Sequence, residues 1–242
     1  MASTTIEWTE SSWNPVTGCT KISTGCKNCY AERMAKRLQA MGNRNYTSGF
    51  SVALQPHMLE LPLTWKVPRQ IFVNSMSDLF HENIPFDYIE RVFAIMHKAT
   101  QHTFQILTKR SQRLLALSEQ LVWPENVWMG VTVENAEVVN RIDDLRATGA
   151  NIKFLSCEPL LSSLGKIDLA GIDWLIAGGE SGPQARPLKK GWVTELRDQC
   201  EESDTAFFFK QWGGTRKKEA GRLLEGRLWN EYPAQVPHLY AS

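Results

Sequence analysis

Residues 103–135 read TFQILTKRSQRLLALSEQLVWPENVWMGVTVEN, and their alternation decides the fold. The run from Thr103 is short and apolar and ends on Thr108 and Lys109, as a buried strand would. Ser111 to Leu121 reads as a helix with Ser111 as its N-cap, since a serine hydroxyl can accept from an unpaired backbone N–H of the first turn. The segment NVWMGVTVEN then returns to an apolar run and ends on Glu134 and Asn135.

Working outward, the same unit recurs. Upstream, Gln70 to Asn74 reads as a strand, and Phe86 to Lys98 as a helix with Ile89, Val92, Phe93 and Met96 at helical spacing. Downstream come a helix from Ala136 to Ala147 and strands in NIKFLSCEPL and DWLIAGGESG. A helix from Gly191 to Glu202 and a strand in AFFFKQWGG follow. Strands that are apolar on both faces and separated by helices call for a parallel sheet covered by helices. With one more candidate between Ile6 and Asn14, the expectation is an α/β fold: a full or partial (β/α) barrel of about six to seven mainly parallel strands. The choice of barrel over open sheet rests on the strand ends. Polar residues gather after almost every strand: Ser75, Ser77 and Asp78; Lys109; Glu134; Cys157 and Glu158; Gly178, Gly179 and Glu180; Lys210 and Gln211. A barrel brings all such ends to one mouth, whereas an open doubly wound sheet offers a crevice only at its switch point.

The expected organisation is a single domain over 1–242. Residues 1–66 form an entrance segment with a helix at Tyr30 to Met41, 67–213 hold the repeats, and 214–242 form an appendage. Hydrophobic residues are 43% and charged residues 22%, ordinary for a globular protein. No apolar run is long enough for a bilayer, and MASTTIEWTE lacks the basic and apolar parts of a signal peptide. A cytoplasmic protein without a membrane partner is expected. The net charge of +1 gives no bulk case for nucleic acid, leaving local basic runs such as Arg216, Lys217, Lys218 and Arg222.

The densest chemistry lies in GCTKISTGCKNCYAER, where Cys19, Cys26 and Cys29 are spaced C-x6-C-x2-C. Three close thiolates can hold three irons of a cubane cluster and leave the fourth open. Gly18 and Gly25 suit a loop that must approach such a cluster closely. Zinc stays open at this point, with Cys157 as a distant fourth ligand. So do a redox pair at Cys26 and Cys29 and unrelated thiols, and a zinc-stabilised binding module is the non-catalytic alternative.

With these residues in view, the chain resembles the radical S-adenosylmethionine superfamily, although the first cysteine gap is six residues where three is usual. The runs WNPVTGC, GCKNCYAE, IFVNSMSDLFH, LTKR, GVTVEN, FLSCEPLL, WLIAGGESG and FFFKQWGG are similar, over nearly the whole chain, to a family of unknown function from bacteria and their phages. LTKR and the general layout resemble spore photoproduct lyases distantly. The resemblance implies a 4Fe-4S cluster on Cys19, Cys26 and Cys29, S-adenosylmethionine as a second cofactor, and a flavodoxin- or ferredoxin-like electron donor. It implies that Ser75, Ser77 and Asp78 receive the methionine amino group, Lys109 its carboxylate, Glu134 the ribose hydroxyls, and Gly178, Gly179 and Glu180 the adenine side. Cys157, Glu158 and Lys210 are then the catalytic candidates, with Gln211 and Trp212 on the substrate side and Cys200 as packing. The expected substrate is a nucleobase, nucleoside or nucleic acid, with a peptide or protein side chain as the alternative.

Overall fold

The computed structural model describes residues 6–234; residues 1–5 and 235–242 and the side chains of Lys217 and Lys218 lie outside that description. The expectations for the chain's first residues, the end of the appendage and the two lysines of the basic run therefore fall outside it.

One sheet carries seven strands: β1 (Ser11–Trp13), β4 (Gln70–Val73), β5 (Thr103–Thr108), β6 (Val127–Thr132), β7 (Ile152–Cys157), β8 (Trp174–Gly178) and β9 (Ala206–Gln211). Every neighbouring pair is parallel, and their spatial order is their chain order. Two short antiparallel strands, β2 (Val16–Thr17) and β3 (Ala53–Leu54), pair beside it. Helices α2 (Phe86–Lys98), α3 (Ser111–Ser118), α4 (Arg141–Arg146) and α5 (Lys190–Glu202) lie between consecutive strands from β4 to β9, with α5 preceding β9. Helix α1 (Tyr30–Ala40) follows the cysteine loop, and a short α6 (Lys217–Ala220) belongs to the tail. No helix among the described residues is long and apolar enough to cross a membrane.

The strand period of two divides the core. Ile71, Val73, Phe104, Ile106, Met129, Val131, Leu155, Leu175, Phe207 and Phe209 join Val92, Met96, Leu114, Leu145 and Leu196 of the helices in one buried cluster. The alternate residues Phe72, Trp128, Ile152, Phe154, Trp174, Ile176 and Phe208 form a second cluster on the opposite face, around Trp8. Trp8 shows that the sheet is curled. Its ring lies 4.8 Å from that of Phe72 on β4 and 6.0 Å from the Lys210 ammonium on β9. Those strands are five positions apart, about 24 Å in a flat sheet, so only a sheet wrapped about Trp8 brings both to one ring. The result is a half-barrel, open between its edge strands β1 and β9.

The helix expected at Ala136–Ala147 is broken in two. A 3-10 turn at Ala136–Val138, where the Asn135 side chain accepts from the Glu137 N–H, precedes a six-residue α4. An asparagine that satisfies a backbone donor in this way competes with the continuous helix.

Candidate functional site

The strand order sends the C-terminal ends of the strands to one rim, and the cysteine loop lies across it. The loop starts at Gly18, whose φ of +78° and close approach to Ser51 leave no room for a side chain. The Gly18 N–H donates to the Met76 carbonyl at 3.1 Å and that of Cys19 to Phe50 at 3.1 Å. Cys26 ends a 3-10 turn at Thr24–Cys26, and Cys29 stands immediately before α1, where the helix N-terminus favours negative charge.

Four strand ends grip this loop. After β6, Glu134 is fully buried; its Oε1 accepts from the Gly25 N–H at 3.2 Å and its Oε2 from Arg141 at 2.9 Å. Burial pushes this carboxyl up, but the Ser23, Arg141 and Lys109 groups outweigh it and hold it below the usual carboxylate range. After β8, Glu180 accepts from the Asn28 amide at 2.9 Å and from the Arg186 guanidinium at 2.6 and 2.9 Å. Arg186 also donates to the Thr24 carbonyl at 3.0 Å. After β4, Asp78 accepts from Thr108 Oγ1 at 2.7 Å, from the N–H groups of Phe80 and Lys109 at 3.0 and 3.2 Å, and from Arg110 at 3.1 Å.

Arg110, after β5, is the centre of the arrangement. Its side chain is only 3% exposed. It donates twice to Glu82, at 2.9 and 3.0 Å, once to Asp78, twice to Thr20, at 2.9 and 3.2 Å, and once to Cys19 Sγ at 3.5 Å. His81 supports the same threonine: its Nδ1 accepts from the Asn83 N–H, so Nε2 carries the proton and donates to Thr20 Oγ1 at 2.8 Å. Burial and the Asp78 charge push the Cys19 thiol up to about 11, against Arg110. Cys26 shifts the other way: burial raises it, while Lys109 and backbone N–H groups outweigh that and lower it.

These contacts change the reading of the strand-end residues. Asp78, Glu134 and Glu180 were expected to face cofactor; all are buried and all hold the loop or its anchors. Ser77 donates to the Val16 carbonyl at 2.8 Å, Ser75 donates to Asn14 at 3.2 Å, and the Ser75 carbonyl accepts from the Tyr30 hydroxyl. Lys109 extends its ammonium to Thr132 Oγ1 at 3.2 Å, near Glu134 and Cys26. Gly178 and Gly179 are buried in the β8 turn, and Gly179 crosses the Trp212 backbone where even a methyl group would collide.

On the concave face, Glu158 and Lys210 form an ion pair at 3.2 Å, with Ser156 donating to Glu158 at 3.4 Å. Cys157 is corrected: the strand alternation turns it away from the concave face, and it lies fully buried in the sheet–helix cluster with Cys200. Burial raises both thiols. Trp212 packs on Phe209 and donates to the Leu223 carbonyl, and Gln211 braces the turn at Gly179 and Ser181. Arg110, Arg141 and Arg186, which hold the loop and its carboxylates, are not among the residues expected from the sequence. Arg110 ends the LTKR run, directly after Lys109.

Cys19, Cys26 and Cys29 are free and partly buried. As a donor set they fit an iron–sulfur cluster: three soft thiols on one loop, beside two cations. Their sulfurs are not gathered, and no group of three or more His, Cys, Asp or Glu among the described residues could hold a metal ion. A fit therefore requires the loop to draw its thiols together.

A comparison with curated proteins finds no match. A solved structure described as spore photoproduct lyase complexed with dinucleoside spore photoproduct is similar over 77% of this chain, at 11% identity and a TM-score of 0.42. This chain covers 59% of that one, less than two thirds of its length. The family described as "Protein of unknown function (DUF5131)" matches residues 3–233, and this chain belongs to that family.

Proposed function

We propose that the protein is a radical S-adenosylmethionine enzyme acting on a nucleobase, nucleoside or nucleic acid. The observation that carries this reading is the placing of three free thiols on one loop at the C-terminal rim of a parallel half-barrel. Cys19, Cys26 and Cys29 would hold three irons of a 4Fe-4S cluster. The chemistry supplied when cluster and S-adenosylmethionine are bound is one-electron cleavage of the S–C5′ bond, giving a 5′-deoxyadenosyl radical. Lys109 offers an ammonium point charge for the methionine carboxylate. The Ser75–Ser77 turn would receive the amino group on carbonyl lone pairs that the Tyr30 hydroxyl and the Gly18 N–H leave over. Glu158 and Lys210 would orient the substrate from the concave face, above the aromatic floor that excludes water. A flavodoxin- or ferredoxin-like protein would supply the electron.

The test is anaerobic reconstitution. The expected product is brown protein with about four irons per chain, releasing 5′-deoxyadenosine with dithionite and S-adenosylmethionine; Cys26→Ala should abolish both. Colourless protein with stoichiometric zinc, or undiminished cleavage by Cys26→Ala, overturns the reading.

A further inference from the structure

The net charge of +1 conceals a strong local asymmetry. Between residues 21 and 44 stand Lys21, Lys27, Arg33, Lys36, Arg37 and Arg44 against the single acid Glu32. That stretch carries +5, and the other 218 residues together carry −4. All six cations are exposed. Glu32 is occupied by Lys21 at 2.8 Å and Lys36 at 2.9 Å. Lys27, Arg33, Arg37 and Arg44 have no ion-pair partner among the described residues.

The cations follow one another along the loop and helix α1. Lys27 lies in the cysteine loop. Arg33 and Arg37 are one turn apart on α1, which runs for about 16 Å, and Arg44 lies just beyond its end. A row of unpaired cations matches a linear polyanion better than a compact acidic protein surface. A second, independent feature sits at the rim end of this row. Tyr30 is 51% exposed as a residue, yet its hydroxyl donates to the Ser75 carbonyl after β4. An exposed ring held in place by its own hydroxyl is a stacking platform for a base. The basic run named at the C-terminus offers less: Arg216 pairs with Glu219, and Arg222 lies over the Phe208 ring and donates to Asn230.

Resting on the nucleobase reading above, we propose that this face binds single-stranded nucleic acid. Phosphates track Lys27, Arg33, Arg37 and Arg44, and one base stacks on Tyr30 beside the rim. Single strand is favoured over duplex because chemistry on a base requires that it leave its stack. The substrate class is thereby a polymer and not a free nucleoside.

The experiment is fluorescence anisotropy with a labelled 12-nucleotide single-stranded DNA and the full chain. Four phosphate contacts predict a slope of about −3 in log affinity against log salt, which weakens binding about 60-fold between 50 and 200 mM. Arg33→Glu with Arg37→Glu should weaken binding at least about 30-fold and flatten the slope. Arg33 also donates to the Ser181 carbonyl, so Lys27→Glu with Arg44→Glu serves as a second pair and should flatten the slope equally. Tyr30→Leu should weaken binding about tenfold at unchanged slope. No binding at 50 mM salt, or binding indifferent to both charge reversals, overturns the proposal. So does charge-dependent capture of reduced flavodoxin without capture of the oligonucleotide, which would make the face a redox-partner dock. Binding needs no cluster, so lost oligonucleotide binding with intact S-adenosylmethionine cleavage defeats this inference alone, and the converse result defeats the enzyme reading alone.

Discussion

Replacing Arg110 by Met should destabilise the protein by about 3 kcal/mol, because it leaves Asp78 buried without its cation. The estimate comes from the partners. Asp78 is 8% exposed in its side chain, and removing one member of a buried pair costs about 3–5 kcal/mol. Three remaining donors, Thr108, Phe80 N–H and Lys109 N–H, still reach Asp78 and keep the loss at the lower end. The Glu82 arm adds little, since that carboxylate is 60% exposed. For a chain of this size the loss is a fall of about 6–12 °C in Tm. The assay is urea and thermal unfolding of the metal-free chain, followed by tryptophan fluorescence. Asp78→Asn should restore about 2 kcal/mol in the Arg110→Met background, since the stranded charge is then gone. Hydrogen exchange at residues 18–21 should quicken in Arg110→Met, as Thr20 loses two of its donors. A loss below about 1 kcal/mol, or no recovery with Asp78→Asn, would refute the claim that this ion pair anchors the loop.

Glu180 gives a pH signature. Burial pushes its carboxyl up, yet Arg186 and Asn28 hold it down at about 2. A depressed folded value means stability that is complete above the ordinary carboxylate range and drains away as pH falls from about 4.5 through about 2. Between pH 5 and 2 the wild type should lose at least about 1.4 kcal/mol more than Glu180→Gln; parallel acid-unfolding curves would contradict this. Gly130→Ala places a methyl group 2.5 Å from the Phe154 ring. It should cost about 1–3 kcal/mol by overpacking, and Phe154→Leu in the same chain should recover part of it; a neutral Gly130→Ala in denaturant unfolding tells against the tight concave floor.

The repeat of strand and helix was legible because apolar period and strand-end polarity are local. Phe86–Lys98 was read to the residue, and all seven strands of the sheet were located. The roles at the rim were not legible, for a physical reason. Asp78, Glu134 and Glu180 stand out as polar strand ends, but nothing nearby in sequence says that Glu134 and Glu180 take cysteine-loop groups as partners or that Asp78 takes the arginine that holds the loop. Gly25 meets Glu134 across 109 positions and Asn28 meets Glu180 across 152. Arginine makes this harder, since its long side chain lets Arg110 serve Glu82, Asp78 and the loop at once. The facing of Cys157 follows from the strand period: Phe154 on β7 lies on the concave face, so Cys157, three residues on, lies on the helix side.

The distances along the chain at which the cysteine loop is held have a consequence for synthesis. Thr24, Gly25 and Asn28 find their anchors only at Asn135, Glu134, Glu180 and Arg186. A ribosome making about 5–20 residues per second exposes all three thiols roughly eight to thirty seconds before the last of these anchors emerges. During that interval the loop is a free tether of soft ligands, open to any thiophilic metal or oxidant it meets. Once β8 and the turn to Arg186 are in place the loop is pinned at both ends. The order of synthesis therefore leaves the three thiols most accessible before the rim is assembled, and makes the finished rim a barrier around them.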